Sequence, residues 1–403
     1  MGSRILIGVT GSIAAYKSLE LLRMLTKASK DVDIILTSAG EKFIPKINFE
    51  SFTAGRVISD LWTETEKQPV HIKLSGDAKV LCVVPGSADF IAKAAAGIAD
   101  DLLTAVFLAF PGPKLIAPAM NPNMYKNPIT QRNLKTLKDF GVVIIEPQQG
   151  FMADYAVGVG HLADIEEIFD HIERAENPPL LKKKKIVITA GGTREHLDPV
   201  RFIGNPSTGR MGIELGRELW KFGAEITVLG ANLSVKPPSY LTVIPCNSHL
   251  QMQANAKKHF KNCNIYISTA AISDFSPEKT EKSKIKKGQL KPIIKLIKNS
   301  DILQELSKNK GKRLLVGFAA ETGDLEKETL RKFNEKNLDL IIGNLIDEKS
   351  GFGSGVSSGI ILGRKIRVEF SGWNKNLLSK KIVEVILQVL YGNSFSLDNF
   401  CKI

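Results

Sequence analysis

The residues best suited to chemistry are densest between Ile188 and Gly212, in the run ITAGGTREHLDPVRFIGNPSTGRMG. Gly191 and Gly192 follow an apolar strand, Ile186 to Thr189, and let the backbone approach a ligand where a Cβ would collide. A second turn, Asn205-Pro206-Ser207-Thr208-Gly209, precedes Met211, Ile213, Leu215 and Leu219. That apolar pattern predicts a helix beginning near Ser207 or Thr208, whose free N–H groups would face an anion. An isolated AGGT turn serves structure as often as it serves a ligand. The length and order of the whole run favour nucleotide handling.

A second concentration lies near the amino terminus. Gly8-Val9-Thr10-Gly11-Ser12 follows a strand and opens a helix, so amides and hydroxyls at Gly11 and Ser12 are suited to a terminal phosphate. Taken alone, a plain structural turn fits equally well. Two further predicted strands end in Thr37-Ser38 and in Pro85-Gly86-Ser87-Ala88-Asp89, and small hydroxyls on one rim favour a mononucleotide phosphate. His71, in PVHIKL, reads by itself as a structural histidine. Asn121, after Met120 in PAMNPNM, stands just past a buried strand, where ligands of parallel sheets sit.

The elements that must position these residues alternate. Strands are predicted at Ile5–Val9, Val32–Thr37, Val80–Val84, Lys114–Ala117 and Val142–Ile145, with helices from Ser12, Ser87 and Pro128 and over Ile165–Arg174. Continuous apolar strands separated by helices predict a parallel sheet covered on both faces. The alternation restarts at Ile186 and continues through Glu225–Leu229, Ile265–Ser268, Leu314–Gly317 and Leu338–Ile342, with a closing helix over Lys375–Leu390. The expected fold class is therefore α/β, with two doubly wound Rossmann-like domains, the first flavodoxin-like. Their expected bounds are 1–175 and 186–391, joined by a proline- and lysine-rich linker, 176–185, and followed by a tail, 392–403. Residues 273–291, rich in lysine, are expected to be a mobile loop.

Size and composition agree with this division. The chain has 403 residues, 43% of them hydrophobic, enough for two cores. Its apolar runs are broken before they reach membrane-spanning length, and no signal peptide is evident, so a protein free of the membrane is expected. Cys82, Cys246, Cys263 and Cys401 form no CxxC pair, which argues against structural zinc and suits a reducing compartment, the cytoplasm. The net charge of +13 raises the question of nucleic acid. With 7% aromatic residues and no nucleic-acid module, small anionic substrates explain the charge better.

The run 188–212 resembles the signature of phosphopantothenate-cysteine ligase, and residues 4 to 391 resemble the bifunctional coenzyme A biosynthesis family that joins this ligase to a flavin-dependent phosphopantothenoylcysteine decarboxylase. For the first half the resemblance implies FMN bound by Gly11, Ser12, Thr37, Ser38, Ser87, Ala88, Asp89 and Met120. It implies His71 as the active histidine and Asn121, in PxMNxxM, as the carboxylate-recognising residue. For the second half it implies an acyl-cytidylate made from CTP with Mg2+, then attacked by the cysteine amine. Gly191 and Gly192 give that ligand room, and Asn205 assists conversion of the intermediate. Ser268, Thr269, Ala270, Asp274, Asn299, Ser300, Asp301, Ile302, Phe318, Lys332 and Lys336 contact the nucleotide, and Lys284 serves cytidylate formation. The protein ligands of the metal are left unassigned. Trimers of the flavin half and dimers of the ligase half are implied, with phosphopantothenate, cysteine and CTP as substrates.

The sequence departs from the family in the flap that normally reads LACGxxGxGRM. Asp154 stands at the cysteine, Tyr155 at a glycine and His161 at the arginine, while Asp89 replaces an asparagine. An unperturbed aspartate, with a pKa near ~3.9, holds little proton at neutrality, although burial raises such a value. Three states of the first half follow: active with Asp154 as surrogate acid, active only to an oxidised enethiol, or inactive. The last makes it a flavin-binding assembly scaffold beside an active ligase. A nicotinamide oxidoreductase is the weaker alternative, because neither half carries a full GxGxxG turn followed by its acidic residue.

Overall fold

The computed structural model describes residues 4–62, 68–151, 157–286, 293–346 and 356–392. The chain divides into two compact units between Pro178 and Pro179. In the first unit the strands are β1 (Arg4–Val9), β2 (Asp31–Leu36), β3 (Val57–Ile58), β4 (Ala78–Gly86), β5 (Lys114–Pro118) and β6 (Val143–Ile144). They form a parallel sheet in the order β3-β2-β1-β4-β5-β6. The reason for their unbroken apolar sequences is visible in β1. Ile5, Ile7 and Val9 enter one core while Leu6, pointing the other way, enters a second. A small antiparallel hairpin, β7 (Gln148–Phe151) and β8 (Val157–His161), follows.

The second unit contains β9 (Lys185–Gly191), a hairpin of β10 (Arg194–His196) and β11 (Phe202–Gly204), then β12 (Glu225–Ala231), β13 (Thr242–Pro245) and β14 (Ile265–Ser268). It continues with β15 (Phe275–Pro277), β16 (Leu296–Lys298), β17 (Leu314–Glu321), β18 (Leu340–Leu345), β19 (Val356–Gly363) and β20 (Ile366–Asn374). The main sheet runs β13-β12-β9-β14-β17-β18-β19-β20. It is parallel as far as β18, and β19 and β20 close it as an antiparallel edge. Again the central strand feeds two cores: Ile186, Ile188 and Ala190 on one side, Val187 on the other.

In each sheet the strand order reverses direction beside the first strand, between β1 and β4 and between β9 and β14. The carboxyl ends of those strands diverge into crevices, where open α/β sheets take their ligands.

Several sequence expectations need correction. Helix Arg210–Lys221 starts later than Ser207 or Thr208, because Gly209 adopts a left-handed φ of 80° and ends the turn. A Cβ there would lie 2.3 Å from Leu233. Residues 273–291 are not wholly loop, since Phe275–Pro277 pairs with Leu296–Lys298. Nor is 176–185 a free tether. Leu181 is fully buried in the second unit's core, and its N–H donates to the Phe222 carbonyl at 2.8 Å. The Tyr391 hydroxyl donates to the Leu180 carbonyl.

Candidate active sites

The first crevice opens into a cavity of about 510 Å³. Gly11 and Ser12 reach it from β1, Ser87 and Ala88 from β4, and Met120 and Asn121 from β5. Gly11 is required here, because a Cβ would come 2.6 Å from that of Ala39. The hydroxyls are held in place by the backbone: Ser12 accepts the Ala14 N–H at 3.3 Å, and Ser87 accepts that of Phe90 at 3.2 Å. Asn121 likewise takes the Asn123 N–H on Oδ1 at 2.8 Å, which fixes its amide at the start of a helix whose first residue is Pro122.

Not every expected residue joins this cavity. Thr37 turns inward, accepting the Gly40 N–H at 3.1 Å and donating to the Val9 carbonyl at 3.3 Å, and Ser38 begins the adjoining helix. Asp89 is exposed, with a carboxylate oxygen 3.4 Å from Lys93 Nζ. His71 stands in helix Val70–Asp77, away from the cavity lining. Asp154 and Tyr155 lie outside the described residues. Conversely, Tyr16 and Lys17 line the cavity without having been singled out in the sequence. The signal for Lys17 is a cation one helical turn beyond the Gly11-Ser12 turn. His161 also faces the space, with Nδ1 3.0 Å from the Leu162 carbonyl. Cys82 is fully buried in β4 and burial pushes its thiol pKa upward, so it is no reactive group.

The second crevice holds a cavity of about 440 Å³, lined by Asn205, Thr269, Ala270, Asp274, Phe318, Lys332 and Lys336 among others. Its two glycine turns are stacked back to back. A Cβ on Gly192 would lie 2.4 Å from the Asn205 carbonyl oxygen, and one on Gly191, whose φ is 85°, would lie 1.9 Å from that of Ala231. The bare backbone at 191–192 is therefore what lets Asn205 occupy the rim. Thr269 and Ala270 are tied to the end of β9 by hydrogen bonds to the Thr189 carbonyl and from Ala270 N–H to the Thr189 hydroxyl. The Asn205 amide donates only a long bond, 3.4 Å, to Ile272.

Lys332 and Lys336 share a helix face, and each already has an acidic neighbour: Glu321 at 2.6 Å and Asp301 at 2.7 Å. Asn299 supports the site from behind. Its N–H donates to the Asp274 carbonyl and its side-chain amide to that of Ser273, both at 2.8 Å. Gly191, Gly192, Ser268, Asn299, Ser300, Asp301 and Ile302 do not line the space themselves, and Ile302 is core. Lys284 is exposed and lines a different cavity with Leu197 and Glu281. Its neighbour Ile285 is anchored there, donating its N–H to buried Asp198 and accepting from Arg201. Ser207 and Thr208, expected at an anion-facing turn, line the nucleotide-type cavity, and so do Arg210, Asn344 and Lys375, for which the sequence suggested no role. Arg210 lies within the dense run, and Lys375 opens the last described helix, so position relative to a turn or a cap was the available signal.

Among the described residues no cluster of three His, Cys, Asp or Glu is arranged to hold a metal ion. No helix of the described residues is long and apolar enough to cross a membrane.

A family model described as Flavoprotein matches residues 1–176, and one described as DNA/pantothenate metabolism flavoprotein C-terminal domain matches residues 181–390. The coenzyme A biosynthesis bifunctional protein CoaBC of Borreliella burgdorferi is 36% identical over 95% of this chain and 98% of its own. That of Bacillus subtilis is 37% identical over 89% of each. Among solved structures, the C-terminal domain of a CoaBC protein is 30% identical, covering 53% of this chain and 98% of that one, with a TM-score of 0.45.

Proposed function

The chain belongs to the family of bifunctional coenzyme A biosynthesis proteins, flavoproteins that join a decarboxylase to a ligase, and from that premise we propose the two reactions and the residues that serve them. The second unit ligates 4'-phosphopantothenate to cysteine using CTP, and the first decarboxylates the product to 4'-phosphopantetheine with FMN. The strongest support is one cavity lined together by Asn205, Asp274, Phe318, Lys332 and Lys336.

In the ligase a carboxylate oxygen attacks the α-phosphorus of CTP, forming an acyl-cytidylate and releasing pyrophosphate. The cysteine amine then attacks the acyl carbon, loses a proton, and CMP departs. Phe318 gives the base an apolar wall, and the Asn205 amide, weakly engaged in the free chain, is available to the mixed anhydride. Lys332 and Lys336 oppose the triphosphate charge. Asp274 is the carboxylate lining the cavity, which fits Mg2+ arriving on the triphosphate better than a metal caged by protein.

In the decarboxylase the donor set fits FMN: hydroxyls of Ser12 and Ser87 at strand ends for its phosphate, and Ala88 and Met120 for an apolar ring. FMN, when bound, supplies the electron sink that decarboxylation of a cysteinyl group needs. Asn121 holds and orients the substrate carboxylate, and His71 serves as base or electrostatic partner.

His71 is outside the lining of the first unit's cavity, and Lys284 lines a cavity separate from the one that holds Asn205 and Asp274. We further propose trimers of the first unit and dimers of the second, in which a neighbouring subunit supplies each of these residues. Mixed subunits carrying Asn205→Ala and Lys284→Ala should then regain ligase activity that neither variant has alone. We assign the enzyme to the cytoplasm.

The test of the whole is one assay containing phosphopantothenate, cysteine, CTP and Mg2+, following pyrophosphate and CO2 separately. Both should appear, CO2 only from yellow protein. No CTP-dependent pyrophosphate would remove the ligase reading.

A further inference from the structure

Lys375 opens helix Lys375–Tyr391 and lines the same cavity as Asn205 and Asp274. The other two lysines on that wall are balanced, Lys332 by Glu321 and Lys336 by Asp301. Lys375 is not. Among the described residues its ammonium hydrogen-bonds the Ser357 hydroxyl and meets no carboxylate. Arg210 lines the cavity too, and its nearest carboxylate, Glu214, is 3.7 Å away, beyond a good hydrogen bond.

Burial lowers the pKa of Lys375, and the Arg210 charge lowers it further. Both effects oppose the ammonium, and an anion placed between the two cations would relieve both. The two side chains come from the first residues of helices Arg210–Lys221 and Lys375–Tyr391, so free backbone N–H groups and dipoles add to the same potential. The two helices bury residues in one core, which keeps the pair fixed.

We propose that Lys375 and Arg210 form a phosphate-binding subsite of the ligase cavity. It takes the triphosphate of the nucleotide or the terminal phosphate of the acyl substrate, and it rests on reading that cavity as the site of nucleotide-dependent ligation. Lys375 is a binding residue here, without a part in bond making.

The test is calorimetric titration of the full chain and its Lys375→Gln, Lys375→Arg and Arg210→Gln variants with CTP, phosphopantothenate and inorganic pyrophosphate. Cytidine and pantothenate serve as phosphate-free controls. Lys375→Gln should weaken at least one phosphorylated probe by about 10-fold or more, as loss of a charged hydrogen bond does, with Lys375→Arg recovering most of it. The controls should be unchanged. Weakening of CTP assigns the subsite to the nucleotide, and weakening of phosphopantothenate assigns it to the acyl substrate. Should Lys375→Gln not fold, exposed Arg210 carries the test. Undiminished binding of all three phosphorylated probes in the folded variants overturns the proposal. Lys375-dependent binding of pyrophosphate by a chain that ignores CTP would keep the subsite and remove the ligase reading instead.

Discussion

Lys336 and Asp301, both expected to meet the nucleotide, meet each other: Nζ lies 2.7 Å from Oδ2, while Oδ1 of the same carboxylate accepts the Gln304 N–H at 2.9 Å. One side chain thus caps helix Ile302–Ser307 and neutralises a cavity lysine. Asp301→Asn keeps a capping oxygen and loses the ion pair, so it should cost no more than about 1 kcal/mol. Asp301→Ala loses the cap as well, adding about 1 kcal/mol. Urea unfolding would decide, and equal losses for the two variants would refute the double role.

The back-to-back turns give a sharper contrast. Gly192→Ala pushes a Cβ against the Asn205 carbonyl and shifts that rim by a fraction of an ångström or more. Ligase turnover should fall about 100-fold, as small misplacements at reacting groups do, while the yellow colour of the other unit persists. Gly191→Ala should do more, because left-handed backbone and a 1.9 Å clash combine, and the second unit should lose cooperative folding by circular dichroism.

Asp154 separates the possible courses of decarboxylation. A thiol near pKa ~8.5 carries a proton at neutrality that a free carboxyl near ~3.9 does not. The parent protein should therefore release some oxidised enethiol, and Asp154→Cys should shift the product toward the fully reduced thiol. Mass spectrometry distinguishes these products, and fully reduced product from both proteins would show the substitution to be harmless.

The thiols should be inert in the folded chain. Burial raises the pKa of Cys82, of Cys246 and, to about 11, of Cys263, and all three are buried. A raised thiol pKa means that the reactive thiolate appears only as pH climbs toward that value. At pH 8 iodoacetamide should label at most Cys401, which lies outside the described residues, and all four cysteines after denaturation. Fast labelling of Cys263 in native protein would contradict the packing described.

Sequence was most informative where burial on both faces writes an unbroken apolar run, as in Ile5–Val9 and Ile186–Thr189, because little else looks like a central parallel strand. It was least informative at edges. β20 alternates Ile366, Val368 and Phe370 with Arg367 and Glu369, a half-exposed pattern that was not read as a strand, and β15 and β16 are too short to stand out from their polar surroundings. In the sites, residues at strand ends were legible from turn chemistry: Gly11, Ser12, Ser87, Asn121 and Asn205 all reach a cavity. Lys375 was not, since a single lysine after Asn374 carries no local mark of the cavity that its helix reaches. His71 and Lys284 show the converse: a motif marks each of them, yet neither lines the cavity its motif points to.

The anchoring of Leu181 bears on how such a fusion can be taken apart. A gene truncated at the codon for Lys185 would encode a ligase missing the stopper beside Phe222, and a gap of that size costs about 2 kcal/mol or more. Truncation at Pro179 leaves the plug with its owner, so the natural seam between the two compact units lies upstream of the lysine-rich stretch that looks, on paper, like the dividing line.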